Sequence, residues 1–277
     1  MKQYIYLGKK ALDLTEPLVM GILNITQDSF YDGGKYFSEV NIVERIHQII
    51  EQGASIIDVG AYSTRPGAKD IEKNEEISRL SFALELVRKY YPEFPISIDT
   101  FRSEVASEIS KCFGDIIVND ISGGTMDDKM FDFISSSKLP YIMMHIVGTP
   151  QTMQNNPSYK DVTSEVKEFF RDRIEQLKKY NYNNLILDPG FGFGKSIEHN
   201  YTLLRKMAEL NEFNLPILVG VSRKSMIYKL LSTSASQALN GTSILHAFAL
   251  ERGAKILRVH DVEEAVEVTK LYKALLT

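Results

Sequence analysis

The sequence predicts an α/β protein folded as a (β/α)8 barrel, the TIM barrel, and three observations carry the prediction. Eight short apolar runs alternate with segments of helical periodicity, nearly every run ends on a polar residue, and no linker or low-complexity stretch divides the 277 residues. A strand buried on both faces needs only apolar side chains, so a carboxylate, amide or cation at its end is there for some other purpose. An open doubly wound sheet is the competing architecture, but it has fewer strands and gathers its polar residues at one switch point. A barrel brings all eight strand ends onto one rim. The expectation is one domain over residues 1–277, a short hairpin over 1–17, and an active site at the C-terminal ends of the strands.

Taken in order, residues 1–17 alternate loosely and contain Gly8 and Pro17, which suits a hairpin lying before the main fold. Leu18–Asn24 is the first buried strand, followed by a polar loop ending at Gly33-Gly34, then a helix with Ile42, Val43, Ile46, Ile49 and Ile50 on one face. Ser55–Gly60 is the second strand, with the loop Ala61–Ala68 after it. A helix on Ile77, Leu80, Ala83, Leu84 and Val87 leads to the third strand, Pro95–Asp99; a short helix around Val105 and Ile109 leads to the fourth, Ile116–Asp120. Pro140–His145 is the fifth. A helix on Val166, Phe169, Phe170, Ile174 and Leu177 precedes the sixth, Asn184–Asp188. There Pro189 and three glycines stop the strand, and Ser196 can cap a helix on Ile197, Tyr201, Leu203, Leu204, Met207 and Leu210. Pro216–Val221 is the seventh strand, 239–252 a helix rich in small residues, Lys255–His260 the eighth strand, and 261–276 a closing amphipathic helix.

Bulk composition excludes some functions. With 32 Lys plus Arg against 36 Asp plus Glu there is no overall electrostatic footprint for nucleic acid or an anionic membrane, so any anion is bound locally. The N-terminal apolar stretch is broken by glycine and lysine, which fits neither a signal peptide nor a span, so a cytoplasmic location is expected. Cys112 is the one cysteine; a small residue filling space explains it more simply than a catalytic thiol.

On a common rim, Asp99, Asn119 and Asp188 can accept hydrogen bonds from a flat heterocycle bearing several N–H groups, because a carboxylate takes two parallel bonds from an amidine-like edge. Arg65, Arg258, His260 and the amides near Asn24 can hold a phosphate or diphosphate, with Lys224 between the two groups. A single strand-end aspartate could merely cap the next helix; seven polar strand-end residues are poorly explained that way. Arg258 and His260, two positions apart, share a strand face. His145 reads as a hydrogen-bonded core histidine, His47, His199 and His246 as structural or solvated, and Met143-Met144 as core and pocket wall. Gly190–Ser196 ends in Gly-Lys-Ser like a phosphate loop, but the first glycine that loop requires falls at Pro189. Metal held by a His-x-His on the first strand is unsupported, since Met20–Asn24 has no histidine.

Eight stretches together make the chain resemble the bacterial dihydropteroate synthases from about Leu14 to the end: Met20–Gly34, Ser63–Ala68, Ile98–Thr100, Val118–Gly124, Met144–Pro150, Asp188–Lys195, Ser222–Lys224 and Arg258–Asp261. The resemblance implies condensation of (7,8-dihydropterin-6-yl)methyl diphosphate with 4-aminobenzoate by an SN1-like path, with small-molecule substrates, Mg2+ as cofactor, no nucleic acid or membrane partner, and a homodimer built on the late helices. By that resemblance Asp99, Asn119, Asp188 and Lys224 hold the pterin, Met144, Phe193 and Gly220 line its pocket, and Arg258 stacks on the ring. Asn24, Arg258 and His260 take the diphosphate, Asn24 also the metal. Phe30, Asp32, Ser63, Thr64, Arg65, Pro66 and Ser222, with Lys224, enclose the aminobenzoate, and the catalytic set is Asp32, Arg65, Asp99, Asp188, Lys224 and Arg258. A pterin-binding methyltransferase and a catalytically silent pterin-binding barrel are the alternatives. The chain departs from the family at Gln27, where Pro is usual, and at Ala61-Tyr62, where Gly-Glu is usual; Gln27 releases a fixed φ and Tyr62 replaces a charge with a ring.

Overall fold

A computed structural model gives the structure of the protein and describes residues 3–25, 35–62, 70–153 and 157–276, with only the backbone for 35–38. Strands β1 (Tyr4–Leu7) and β2 (Lys10–Asp13) form an antiparallel hairpin around Gly8. Then come β3 (Leu18–Asn24), α1 (Lys35–Glu51), β4 (Ile56–Gly60), α2 (Lys73–Tyr90), β5 (Ile96–Asp99) and α3 (Ser103–Phe113). After these run β6 (Ile117–Asp120), α4 (Met130–Ser137), β7 (Tyr141–Met144), α5 (Val162–Lys178), β8 (Leu185–Asp188) and α6 (Ile197–Lys206). The chain ends with β9 (Ile217–Val219), α7 (Ser225–Tyr228), α8 (Leu239–Glu251), β10 (Ala254–Val259) and α9 (Val262–Leu276). Strands β3 to β10 close, all parallel, into the expected eight-stranded barrel.

Strand parity sorts the core into layers, because alternate residues face opposite sides. The outward set, including Val19, Leu23, Ile57, Val59, Ile98, Val118, Met143, Leu187 and Val259, packs beneath the helices. The inward set begins with an apolar layer of Met20, Ile56, Ile117, Ile142, Ile186, Leu218 and Ile256, and the hairpin's Ile5, Leu7, Leu12 and Leu14 pack against it. The hairpin is therefore the stopper of the barrel's N-terminal end rather than a piece lying ahead of the fold. Each of these side chains contributes roughly 1.5–3 kcal/mol relative to exposure. Asn184, just before β8, ties the hairpin on: its Oδ1 accepts from the Tyr6 N–H at 3.0 Å and its Nδ2 donates to the Tyr6 carbonyl at 2.7 Å.

Several details differ from the expectations. Helix α4 was not predicted; Met130, Phe131 and Ile134 give it one short buried face, and three serines weaken its helical pattern. The helix after β8 ends at Lys206, and Met207–Phe213 tightens to a 3-10 turn that still buries Met207 and Leu210. Cys112 fills no space, being exposed on α3. Ser196 caps α6 as expected, accepting from His199 N at 3.1 Å while its own N–H donates to His199 Nδ1. Among the described residues no helix is long and apolar enough to cross a membrane.

Candidate active site

The second inward layer is polar. Moving along each strand from the apolar layer brings Asp58, then Ser97 and Asp99, Asn119, Met144, Asp188 and Arg258 to the inner wall, in the registers Asp58↔Ser97, Asp99↔Asn119 and Met144↔Asp188. Gly60 pairs with both Asn24 and Asp99; a Cβ there would stand 3.2 Å from Asn24 Oδ1 and 3.5 Å from Asp99 Cβ, so glycine keeps the rim open for those two side chains. Gly220 similarly leaves room beside Lys224 and Arg258.

Arg258 is the hub of this layer. Its Nε donates to Asp58 Oδ2 at 2.7 Å and its Nη2 reaches Asp58 Oδ2 at 2.6 Å and Asp99 Oδ2 at 2.8 Å. Asn119 Nδ2 donates to the same Asp58 oxygen at 3.2 Å, while Asp58 Oδ1 and the neighbouring Ser97 Oγ are buried without a hydrogen-bond partner. Burial opposes the charge of Arg258, but Asp58 and Asp99 outweigh it, and the guanidinium is held more firmly protonated than usual. Burial pushes the Asp99 carboxyl up to about 7 against the pull of Arg258, with Asp58, Glu76 and Asp120 adding to the rise. Asp188, also raised by burial and opposed by Lys224, accepts from the Gly190 N–H at 2.8 Å.

Across from these acceptors, Lys224 follows β9. Burial lowers its amine to about 8, and its Nζ donates to the Phe191 carbonyl at 2.5 Å and lies 4.6 Å from the Phe193 ring centroid, a cation–π contact. Phe193, Met144, Ile121, Ile146, Met153, Phe101, Met126 and Tyr62 form one apolar cluster lining the mouth. The floor thus offers fixed oxygens and cations, and the wall a flat apolar surface, which is what a planar polar ring requires.

At the rim, Asn24 is exposed at the end of β3. Ser222 is buried and its Oγ accepts from the His260 N–H at 3.2 Å. Burial and the nearby Arg258 bring His260 down to about 4, so its ring is neutral at pH 7. Arg45 of α1 donates to the His260 carbonyl at 2.5 Å, and Arg223 forks onto Asp261 with both contacts at 2.8 Å.

The structure thus brings together Asp99, Asn119, Met144, Asp188, Phe193, Gly220, Lys224 and Arg258 as expected, with Asn24, Ser222 and His260 above them. Phe30, Asp32, Ser63, Thr64, Arg65 and Pro66, and also Gln27, lie outside the described residues. Asp120 faces away from the barrel, accepting from Tyr141 Oη at 2.6 Å and from Ser122 N and Gly124 N, which is the bland strand-end role. His145 is the buried, hydrogen-bonded histidine expected. Tyr62 is integrated into the site: its ring stands edge-on to Phe101 at 5.1 Å, and Gln151 of the β7 loop donates to its Oη at 3.1 Å. Asp58 was missed. The available signal was a carboxylate inside an apolar strand, two residues before Gly60 and so on the inward face.

A closed parallel barrel with carboxylates, an amide and two cations on its C-terminal inner wall has the layout of an enzyme site, and the model of the pterin binding enzyme family matches residues 20–260, which places the chain in that class. The chain is 44% identical over 269 residues to the dihydropteroate synthase of Escherichia coli K12, covering 96% of this chain and 94% of that protein. Among solved structures, it superposes with a TM-score of 0.90 on the Yersinia pestis dihydropteroate synthase in a sulfonamide drug complex, at 37% identity and 99% coverage of both chains. It matches the Xanthomonas albilineans enzyme with 4-aminobenzoic acid equally well, at a TM-score of 0.90, 33% identity and coverage of 100% of this chain and 99% of that one. The chain belongs to the dihydropteroate synthase family.

Proposed function

We propose that the chain, acting as one barrel domain, joins (7,8-dihydropterin-6-yl)methyl diphosphate to 4-aminobenzoate, releasing 7,8-dihydropteroate and diphosphate in folate biosynthesis. The observation that carries this reading is the polar inner layer, where Asp99, Asn119 and Asp188 face Lys224 and Arg258 above the apolar layer of the barrel. Such acceptors match the N–H edge of a pterin, and Phe193, Met144 and Gly220 border the space a ring would occupy. As the ring takes the oxygens of Asp99, Arg258 keeps its second partner, Asp58, so the guanidinium stays anchored where it can face both the ring and the departing diphosphate.

The bond from the pterin methylene to the diphosphate oxygen breaks first, its electron pair leaving with the diphosphate. Arg258, His260 and Asn24 receive that charge, and the carboxylates of Asp99 and Asp188 favour the methylene cation. The aminobenzoate nitrogen then forms the new C–N bond and passes its proton to water. No activated nucleophile on the protein is needed. Ser222 and Lys224, with Phe30, Asp32, Ser63, Thr64, Arg65 and Pro66, are proposed to enclose the aminobenzoate, where a sulfonamide would compete. Asn24 fits a magnesium site: it puts an exposed amide oxygen at a strand end, and Mg2+ takes oxygen ligands while keeping waters and substrate phosphate oxygens in its shell. Bound there, Mg2+ would neutralise charge on the leaving diphosphate.

A homodimer is also proposed, on the face where Leu230, Leu231, Ile244 and Phe248 are exposed. Sedimentation of the wild type beside a Phe248→Glu variant tests it; a wild-type monomer refutes it. The reaction is tested by mixing protein, the pterin diphosphate, 4-aminobenzoate and Mg2+ and detecting dihydropteroate by mass spectrometry, with Asp188→Asn in parallel. Product from the wild type and little from the variant supports both the reaction and the pterin anchor. Pterin binding without any product rejects the synthase reading.

A further inference from the structure

We propose that Lys195 is a positioning residue for the pterin pocket: its buried amine ties the carbonyls of Gly190 and Phe193 to the imidazole of His145, and so fixes the loop that carries Phe193 and against which Lys224 rests. The proposal rests on the functional reading above and deepens it. Lys195 ends the glycine-rich stretch that mimics a phosphate loop, but its side chain points into the protein and is only 4% exposed. Its Nζ lies 2.9 Å from His145 Nδ1, 2.9 Å from the Gly190 carbonyl oxygen and 3.1 Å from that of Phe193, with the His145 carbonyl at 3.5 Å. None of these partners is a carboxylate. A lysine taken out of water without an ion pair is costly, and a chain that keeps one there is using all its donors.

The contacts span two strands. His145 follows β7, whereas Gly190 and Phe193 follow β8, and the two segments press together: a Cβ on Gly190 would stand 2.0 Å from the His145 carbonyl oxygen, and its φ of +70° also favours glycine. With Nδ1 as acceptor, the imidazole carries its proton on Nε2. Burial, then the neighbouring Lys195, hold His145 well below its ordinary pKa, so it stays neutral and keeps that lone pair. Burial brings Lys195 itself down to about 7, against Asp188. The ring of His145 is packed edge-on to Phe169 at 5.0 Å, which leaves it little freedom to turn away.

The other anchors of the loop approach from the helix side: Asn200 Oδ1 accepts from Gly192 N at 2.7 Å, and Tyr159 Oη donates to the Gly194 carbonyl at 2.8 Å. Lys195 supplies the tie toward the barrel wall. What the loop carries is the functional part. The Phe191 carbonyl accepts from Lys224, the Phe193 ring faces the same amine, and Gly192 packs on the Lys224 stem so closely that a Cβ there would meet Lys224 Cδ at 3.0 Å. Without the Lys195 donors, the Phe193 carbonyl loses its buried partner and the Gly190 carbonyl keeps only the Phe193 N–H at 3.1 Å, so the Phe193 carbonyl turns toward water and takes the Lys224 rest and the aromatic wall with it.

The test compares Lys195→Met, which keeps the stem and removes the donors, with His145→Gln, which keeps an acceptor, and His145→Leu, which does not. Calorimetric titration with the dihydropterin diphosphate is read beside the KM for 4-aminobenzoate at saturating pterin. Lys195→Met should weaken pterin binding about tenfold or more and raise the aminobenzoate KM by clearly less, because of the groups enclosing the aminobenzoate only Lys224 rests on this loop. His145→Leu should weaken pterin binding in the same direction, and His145→Gln should recover most of it. Unchanged pterin affinity in a folded Lys195→Met protein overturns the proposal, as do equal rises for both substrates, which would mean general loosening. Should Lys195→Met fail to fold, equal pterin affinities for the two His145 variants overturn it and a clear gap between them supports it. A wild type that binds no dihydropterin overturns the functional reading and this proposal with it, whereas normal wild-type binding with unaffected variants overturns this proposal alone.

Discussion

Replacing Asp58 with Asn removes one charge from the inner layer and almost no volume. All three of its contacts, two from Arg258 and one from Asn119, fall on Oδ2, and Oδ1 has no hydrogen-bond partner. The substituted amide can keep its oxygen toward Arg258, but its NH2 then lies in the partnerless slot with no acceptor. Breaking a buried pair outright costs about 3–5 kcal/mol, yet here Arg258 retains Asp99 at 2.8 Å. The cost should therefore be nearer the about 1–3 kcal/mol of a buried group left unsatisfied. At about 2–4 °C per kcal/mol for a chain of this size, the melting midpoint should fall by roughly 2–12 °C. A second effect follows from the Asp99 carboxyl, which Asp58 helps to raise to about 7. Without that neighbour Asp99 ionises at lower pH, so the acid limb of the pterin-binding profile moves down. Thermal unfolding and titration of pterin across pH 5–8 measure both. An unaltered midpoint together with an unmoved acid limb would refute the assignment of Asp58 as the anchor of Arg258.

Further expectations can be checked with the same protein. Asp99 takes up a proton on folding wherever the pH lies between its ordinary value of 3.8 and about 7, so its contribution to stability falls as pH rises through that window; a pH series of denaturant melts on wild type and Asp99→Asn should differ in that slope. Pterin affinity in the wild type should weaken below about pH 7 as that carboxylate is neutralised, and calorimetry gives the profile. Gly190→Ala, with φ at +70° and a Cβ 2.0 Å from the His145 carbonyl oxygen, should lose roughly 2 kcal/mol or more, seen in chemical unfolding. Asn184→Ala should cost about 0.5–1.5 kcal/mol and speed amide exchange at Tyr6 while leaving kcat within about twofold.

The barrel and its floor were legible in the sequence because both follow from strand parity. Asp99 and Asp188 end their apolar runs, Asn119 and Arg258 lie one place short of the ends of β6 and β10, and a closed parallel sheet has one place to put strand ends. Asp58 escaped because it sits inside its run, where only counting back from Gly60 assigns it to the inner face. In the sequence Lys195 belongs to a false phosphate loop and His145 reads as a core histidine. Their pairing depends on how closely the ends of β7 and β8 approach, a tertiary distance that spacing along the chain does not encode. The short α4 went unseen because Ser135, Ser136 and Ser137 blur its period. Tyr62 looked like a lost charge, and its bond to Gln151, 89 positions away, gives it a new use.

The apolar plug that β1 and β2 push into the base of the barrel makes the interior a cul-de-sac. Anything held against Asp99, Asn119 and Asp188 has a single doorway, shared by arrivals and departures. A ring seated on that floor must come in ahead of whatever binds above it, and a joined product has to leave whole by the route its first half took. Traffic, as well as chemistry, is thus set by eleven apolar side chains at the far end of the molecule from the reacting atoms.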